Sequence, residues 1–335
     1  MKTTLYYLLL LLSVSTFAEV NNESFTSKAL NTQVTFKVSV PASYSTRLNQ
    51  YYPVIYVLHG QWDFALVKSI SDTLKSEIPE FIIVQVIGKG AQLQPNNADI
   101  NEKAQLFRQH FTHELVPHIK NNFRTADYSI LIGHSNAGRF AMEQLLTKSP
   151  LFNDYFIFSP SLDDGYIVSL AQSVKELEAQ LFLSIANEGE HMQKPFNVLV
   201  NILQNHPTLS LSSEKYPQYS HQSSKVIALL NAFQTRFSHW QASYETKIAG
   251  LGSLLTHYSA LEKELGFQVL PNKDDLIRLL AYFAVNDNGQ EVGKIYDYVI
   301  THYSNAAESI IEIEQYLEKE GYQSAAKRIK LSRLK

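Results

Sequence analysis

The chain has no cysteine at all among its 335 residues, so no disulfide, thiolate metal site or cysteine nucleophile is available to it. Charge is also scarce. Charged residues make up 18%, and the formal net charge is only −3. That balance gives no basis for holding nucleic acid or an anionic membrane surface. Glycine (13) and proline (11) are sparse, which excludes a low-complexity or collagen-like chain. Long apolar runs are missing too. The longest, Leu5 to Val14, falls short of the roughly 20 residues that span a bilayer. His110, His113 and His118 share a helical region with Glu114, but the His-Glu-x-x-His spacing of a zinc helix is absent and Pro117 interrupts the face. They read as a solvated helix, and neither metal nor cofactor is expected.

What is present is a globular composition, 45% hydrophobic, rich in Tyr (19) and Phe (18). Those aromatics suit core packing and an apolar acyl or aryl pocket. The first residues have the layout of an export signal. Met1-Lys2 precedes the short apolar run, and Ser15-Thr16-Phe17-Ala18 offers a small-residue cleavage site. A signal peptide over 1–18, cleavage after Ala18, and a periplasmic or secreted bacterial location are expected. No cysteine near that point argues for a lipid anchor.

The order of patterns predicts the fold. Residues 24–40 alternate as an antiparallel pair. Strands over 53–58, 81–87, 128–132, 155–158, 181–186 and 208–214 then alternate with helices over 65–76, 101–122, 137–148, 167–177, 193–204 and 222–237. Such alternation implies a mostly parallel central sheet with helices on both faces. Beyond residue 240 only helices follow, in pairs near 34 residues that resemble a degenerate tetratricopeptide repeat. A catalytic domain over 19–243 and an all-α extension over 244–335 are expected. The extension offers either a buttress, a rim for the site, or a partner or dimer contact.

The densest chemical signal is Ile130-Leu131-Ile132-Gly133-His134-Ser135-Asn136-Ala137-Gly138. An apolar strand ends in a Gly-x-Ser-x-Ala-Gly turn and a helix follows, the context of a nucleophile elbow. Small residues around Ser135 let strand and helix approach, and the helix N-terminus faces the position of an oxyanion. A nucleophilic serine needs a base, and the base an orienting carboxylate. Strand 181–186 runs into Asn187-Glu188-Gly189-Glu190-His191. Strand 208–214 leads to Tyr216-Pro217-Gln218-Tyr219-Ser220-His221. His221 is the favoured base. His206 precedes a strand, His239, His257 and His302 lie on helical patterns, and His191 shares the acid loop. Glu188 is the first carboxylate off its strand, with Glu190 the alternative acid and Asp163 or Asp164 behind them. The strand Val54 to Leu58 stops at His59-Gly60-Gln61-Trp62, about 75 residues before the elbow. That places the backbone N–H of Gln61 or Trp62, with that of Asn136, as oxyanion donors.

These segments, with Glu114-Leu115-Val116-Pro117-His118-Ile119 and Phe158-Ser159-Pro160-Ser161-Leu162, resemble α/β-hydrolase serine esterases of the esterase D type. Within that group the likeness is to the periplasmic IroE-like and enterochelin-esterase-like siderophore esterases, over roughly residues 24–240. The resemblance implies a Ser135–Glu188–His221 triad and hydrolysis of a bulky, siderophore-like carboxylic ester without cofactor. An acyltransferase of the same fold, or a catalytically silent fold serving as a binding module, are the alternatives. The chain departs from the family at Ala137-Gly138, where two glycines are usual, and at Asn136, where leucine or phenylalanine is frequent. Many relatives also carry arginines in the loop corresponding to Gly88–Asn101, which here has only Lys89.

Overall fold

The computed structural model describes residues 19–96, 101–147, 151–304 and 306–334. The leader expected over 1–18 lies outside them. The chain divides into two compact units: residues 18–41 together with 51–238, and a second unit that includes 42–50 and 239 onward.

The first unit is built on eight strands: β1 (Glu19–Ser27), β2 (Thr32–Val40), β3 (Tyr52–Leu58), β4 (Ile82–Val86), β5 (Thr125–His134), β6 (Asp154–Phe158), β7 (Ala179–Ala186) and β8 (Leu209–Tyr216). Their spatial order is β1-β2-β4-β3-β5-β6-β7-β8. β1 and β2 form the expected antiparallel pair, β2 runs antiparallel to β4, and every other pairing is parallel. The burial patterns follow from these positions. β3 and β6, covered on both faces, are buried throughout and, apart from Asp154 at the start of β6, made of apolar and aromatic residues. β1, at the edge, alternates and carries Glu19 and Glu23, charges that discourage edge-to-edge pairing. Helices α1 (Gly60–Thr73), α2 (Glu102–Gln109), α3 (Val116–Asn122), α4 (Asn136–Thr147), α5 (Tyr166–Ser173), α6 (Glu190–Leu203) and α7 (Ser224–Arg236) fill the crossovers. This is the α/β-hydrolase arrangement expected from the sequence.

α4 is the central helix, with ten of its twelve residues buried. Three of those are polar and each is satisfied, as burial demands. Glu143 accepts from Arg108 and from Tyr166 Oη (3.1 Å), and Arg139 grips Asp164 through both terminal nitrogens. At the opposite end of the sheet, fully buried Asp154 accepts from Tyr128 Oη and from Arg236 Nε (2.8 Å).

Two expectations change. The single helix over 101–122 is broken by a π-type turn over His110–Leu115, which passes the chain into α3 ahead of Pro117. His110 is buried there rather than solvated. Its Nδ1 lies 3.0 Å from Ser27 Oγ, and His118 stacks on Phe25 at 4.7 Å. Glu114 accepts from Ser27 Oγ and from the N–H groups of Lys28 and Ala29, tying the β1–β2 turn to this helix. Burial alone would raise the Glu114 carboxyl, but those hydrogen bonds together hold it below its usual range.

The second unit contains helices α8 (Tyr244–Ile248), α9 (Leu251–Leu265), α10 (Lys273–Val285), α11 (Gly289–His302), α12 (Ala306–Lys319) and α13 (Gln323–Arg333). Its core is mainly aliphatic, with Leu276, Leu280, Val292, Ile295, Val299, Ile310, Leu317 and Ile329 buried beside Tyr258, Phe283 and Tyr303. The segment 42–50, from between β2 and β3, is part of it. Gln50 Nε2 donates to Gln268 O (3.2 Å), and the Arg47 guanidinium lies 4.8 Å from the Tyr303 ring centre. Among the described residues no helix is long and apolar enough to cross a membrane.

Candidate active site

Ser135 sits between β5 and α4 with φ 60°, a left-handed conformation costly for a residue with a Cβ. The neighbourhood over-determines it. Ser135 N–H donates to Phe158 O (3.0 Å), and Ser135 O accepts from Arg139 N–H (2.9 Å) and Ser161 N–H (3.2 Å). Gly133 is required by close approach. A Cβ there would stand 2.4 Å from Ala137 O, so no larger residue fits beneath the turn. Gly138 is less constrained, with its nearest atoms at 3.2 Å.

The loops after β6, β7 and β8 are tied to one another at the carboxyl ends of the strands, where ligands bind in open α/β sheets. Ser159 N–H donates to Ser184 O (2.7 Å), and Ser159 Oγ accepts from Ala186 N–H (3.0 Å). Asn187 N–H donates to Tyr219 O (3.0 Å), joining the Glu188 loop to the His221 loop. His221 Nδ1 then lies 2.7 Å from Glu188 Oε1. Glu190 opens α6 instead, its side chain 82% exposed and paired with Lys194 at 2.5 Å. Asp164 is held by Arg139. Burial would raise its carboxyl, but the Arg139 hydrogen bonds, the Tyr166 N–H and the guanidinium charge hold it below its usual range. Ser135 Oγ makes no hydrogen bond to His221 in this structure.

His59 takes the left-handed conformation (φ 53°) directly after β3, so α1 begins at Gly60 rather than near residue 65. One consequence bears on the two N–H groups expected to face an oxyanion. Trp62 N–H already donates to His59 O at 2.8 Å, within the first turn, and is spent. Gln61 N–H, one residue earlier, has no backbone acceptor there, and its side chain is fixed by donating to Gly88 O (2.8 Å). Asn136 is the first residue of α4, and its Oδ1 accepts from Ser161 Oγ (2.8 Å).

The sequence did not single out several residues around the serine. His134 is buried, and its Nε2 lies 2.9 Å from His221 O, with the two imidazole centres 4.4 Å apart. Burial, then the nearby His221 and Lys225, push its pKa down to about 3, so it stays neutral. His59 is lowered too, by burial first, with Lys225 adding to the shift and Asp63 opposing it. Lys225 and Asp63 pair at 2.5 Å. The only available signal was positional: polar residues flanking an elbow inside an otherwise apolar strand and helix. Arg139 was similarly conspicuous as a charge among Ala137, Phe140 and Ala141. It reaches the site from α4 rather than from the 88–101 loop, and donates through Nε to Pro95 O (2.6 Å).

A family model described as "Putative esterase" matches residues 27–240, most of the chain. The chain belongs to the Esterase family. The esterase is also similar in fold to several solved structures. An IroE-like serine hydrolase from Shewanella oneidensis superposes with a TM-score of 0.69 at 23% identity, over 85% of this chain and 100% of that one. An uncharacterised protein from Capnocytophaga ochracea matches at a TM-score of 0.64 and 20% identity, over 94% of this chain and 93% of that one. The enterobactin and salmochelin hydrolase IroE matches at 0.53 and 21%, over 65% of this chain and 96% of that one. No curated protein matches the chain in sequence.

Proposed function

We propose that the esterase is a carboxylic-ester hydrolase in which Ser135 is the nucleophile, His221 the general base and acid, and Glu188 the orienting carboxylate. The observation that carries this reading is the 2.7 Å bond between His221 Nδ1 and Glu188 Oε1, beside a serine held at φ 60°. With Nδ1–H donated to Glu188, the His221 Nε2 lone pair is left to take the Ser135 proton. Oγ then bonds to the ester carbon. The carbonyl oxygen becomes an oxyanion facing the N–H groups of Gln61 and Asn136. When the intermediate collapses, the C–O bond to the alcohol breaks and the alcohol oxygen takes the proton from His221. Water repeats the sequence and releases the acid. The Oγ–Nε2 hydrogen bond, open in the free enzyme, forms with substrate in place, as catalytic hydrogen bonds often do.

Bulky esters, siderophore-like ones included, suit a site whose catalytic side chains are only half-buried and whose β-strand connections, among the described residues, carry no lid insertion. One solved relative in fold is named as an enterobactin and salmochelin hydrolase. We also place the mature enzyme in the periplasm or outside the cell, on the strength of the leader-like first 18 residues. N-terminal sequencing of protein from cell fractions tests this, and a retained Met1 in the cytoplasm would refute it. A fluorophosphonate probe tests the catalytic reading. It should label wild type at Ser135 and leave Ser135→Ala untouched. Folded wild type that neither labels nor hydrolyses any ester would overturn the proposal in favour of a silent binding module.

A further inference from the structure

Two cavities of about 460 Å3 each flank the nucleophile and share Asn136 as a wall. Their chemistry differs. The cavity that includes Ser135 is walled by His59 and Trp62, with Lys225 and Asp63 neutralising each other. Trp62 is 67% exposed, and its indole makes an edge-on contact with His59 at 4.8 Å. A large indole left facing solvent in a pocket is an unclaimed apolar surface.

The second cavity is walled by His221, Glu188, Asp163, Asp164, Arg139 and Gln94. Three carboxylates there face one guanidinium. Arg139 is committed to Asp164 and to Pro95 O, and Glu188 to His221. Asp163 is exposed and makes no hydrogen bond or ion pair among the described residues. The other basic groups on the wall are the imidazoles of His191 and His221, so among the described residues no lysine or second arginine there offsets the remaining negative charge.

The direction of proton transfer distinguishes the two spaces. His221 must deliver its proton to the leaving oxygen, so the alcohol part of the ester lies on the His221 side. The acyl part stays on Ser135 and lies on the Trp62 side. We propose that this esterase takes esters joining an apolar or aromatic acyl group, laid against Trp62, to a polar, ammonium-bearing alcohol part that faces Asp163. This rests on the Ser135–His221–Glu188 reading. The reaction remains simple hydrolysis: the acyl carbon gains the hydroxyl of water and the alcohol oxygen its proton.

The test uses three butyrate esters of similar size, of choline (cationic), glycerol (neutral) and glycolate (anionic), with the full-length mature enzyme. The expected order of kcat/KM is cation, neutral, anion. A spread of about tenfold between the extremes is the scale of one unpaired charge near a protein surface, and it should shrink with added salt. Asp163→Lys should reverse the order and Asp163→Asn should flatten it. Trp62→Ala should raise KM for benzoyl esters more than for acetyl esters and leave the order of alcohols as it was. Enzyme that labels at Ser135 and hydrolyses esters without this preference, or that prefers the anion, overturns the inference alone. A cation preference that survives Asp163→Lys overturns the role of Asp163. Enzyme that neither labels nor hydrolyses overturns the catalytic reading beneath it.

Discussion

Replacing Glu188 by Gln keeps its size and removes its charge. In wild type the carboxylate lies 2.7 Å from His221 Nδ1, and the two side chains are 12% and 34% exposed. The ring is neutral before reaction and carries a full charge in the transition state, so the carboxylate stabilises the transition state selectively. Two unit charges about 4 Å apart at an effective permittivity of about 20 attract by about 4 kcal/mol. Partial exposure of His221 lowers this, and at about 1.4 kcal/mol per decade the loss in kcat is between about 10² and 10³. A glutamine that turns its amide N–H₂ toward Nδ1 adds the cost of the wrong tautomer and extends the loss toward about 10⁴. Glu190→Gln should lose almost nothing, since Glu190 is exposed and paired with Lys194. The assay is kcat on p-nitrophenyl acetate, with thermal unfolding as a control for folding. A Glu188→Gln enzyme within threefold of wild type, or a larger loss in Glu190→Gln, would refute the argument and move the acid elsewhere.

Ser135→Ala should lose several orders of magnitude in kcat and keep its melting temperature, because Ala relieves no packing and leaves the half-buried elbow otherwise intact; turnover comparable with wild type would exclude Ser135. Gly133→Ala should abolish soluble, active enzyme, since its Cβ would meet Ala137 O at 2.4 Å, and normal activity would show that the turn relaxes. His134 is neutral in the folded chain down to about pH 3 but takes a proton near pH 6.5 when unfolded. The unfolded state thus binds more protons between those values, and stability present above pH 6.5 is lost as pH falls toward 3. His134→Asn should flatten that acid loss, read from urea midpoints between pH 6.5 and 4, and an unchanged slope would deny His134 the effect. Asp154→Asn leaves Arg236 and Tyr128 facing a neutral partner and should cost about 3 kcal/mol or more. That is about 6–12 °C in melting temperature, with kcat retained because Asp154 starts β6 at the end of the sheet away from Ser135.

Much of this was legible from period and position. Strands such as Val54–Leu58 and Leu181–Ala186 are predominantly apolar, with Ser184 the one small polar residue of the second, because both faces are covered, and the elbow announces itself through small residues of which Gly133 is the most constrained. The sequence favours Glu188 over Glu190 only by its place directly after the strand, since the difference between the two carboxylates is rotational. Glu188 precedes the helix and turns toward His221, while Glu190 is already on its outer face. The start of α1 was placed late because nothing in His59-Gly60 signals that a histidine will adopt a left-handed conformation and launch the helix at once. His110 was misplaced because the π-type turn rotates it inward, a shift that a 3.6-residue period does not contain.

The inclusion of 42–50 among the C-terminal helices sets the timing of folding. The partners of Thr46 and Gln50, namely Ser304 and Gln268, lie more than 200 residues further along the chain. Synthesis proceeds from the N-terminus, so the helical unit stays incomplete until its late helices have emerged, while the sheet from β3 to β8 needs nothing beyond residue 238. Closure across so long a loop costs entropy that local helix formation does not, making assembly of the second unit the slow, late step. Removing the last helices therefore cannot yield a clean catalytic fragment. It strands a nine-residue segment between β2 and β3 with its own partners gone, and minimal versions of this esterase will need that segment redesigned as well.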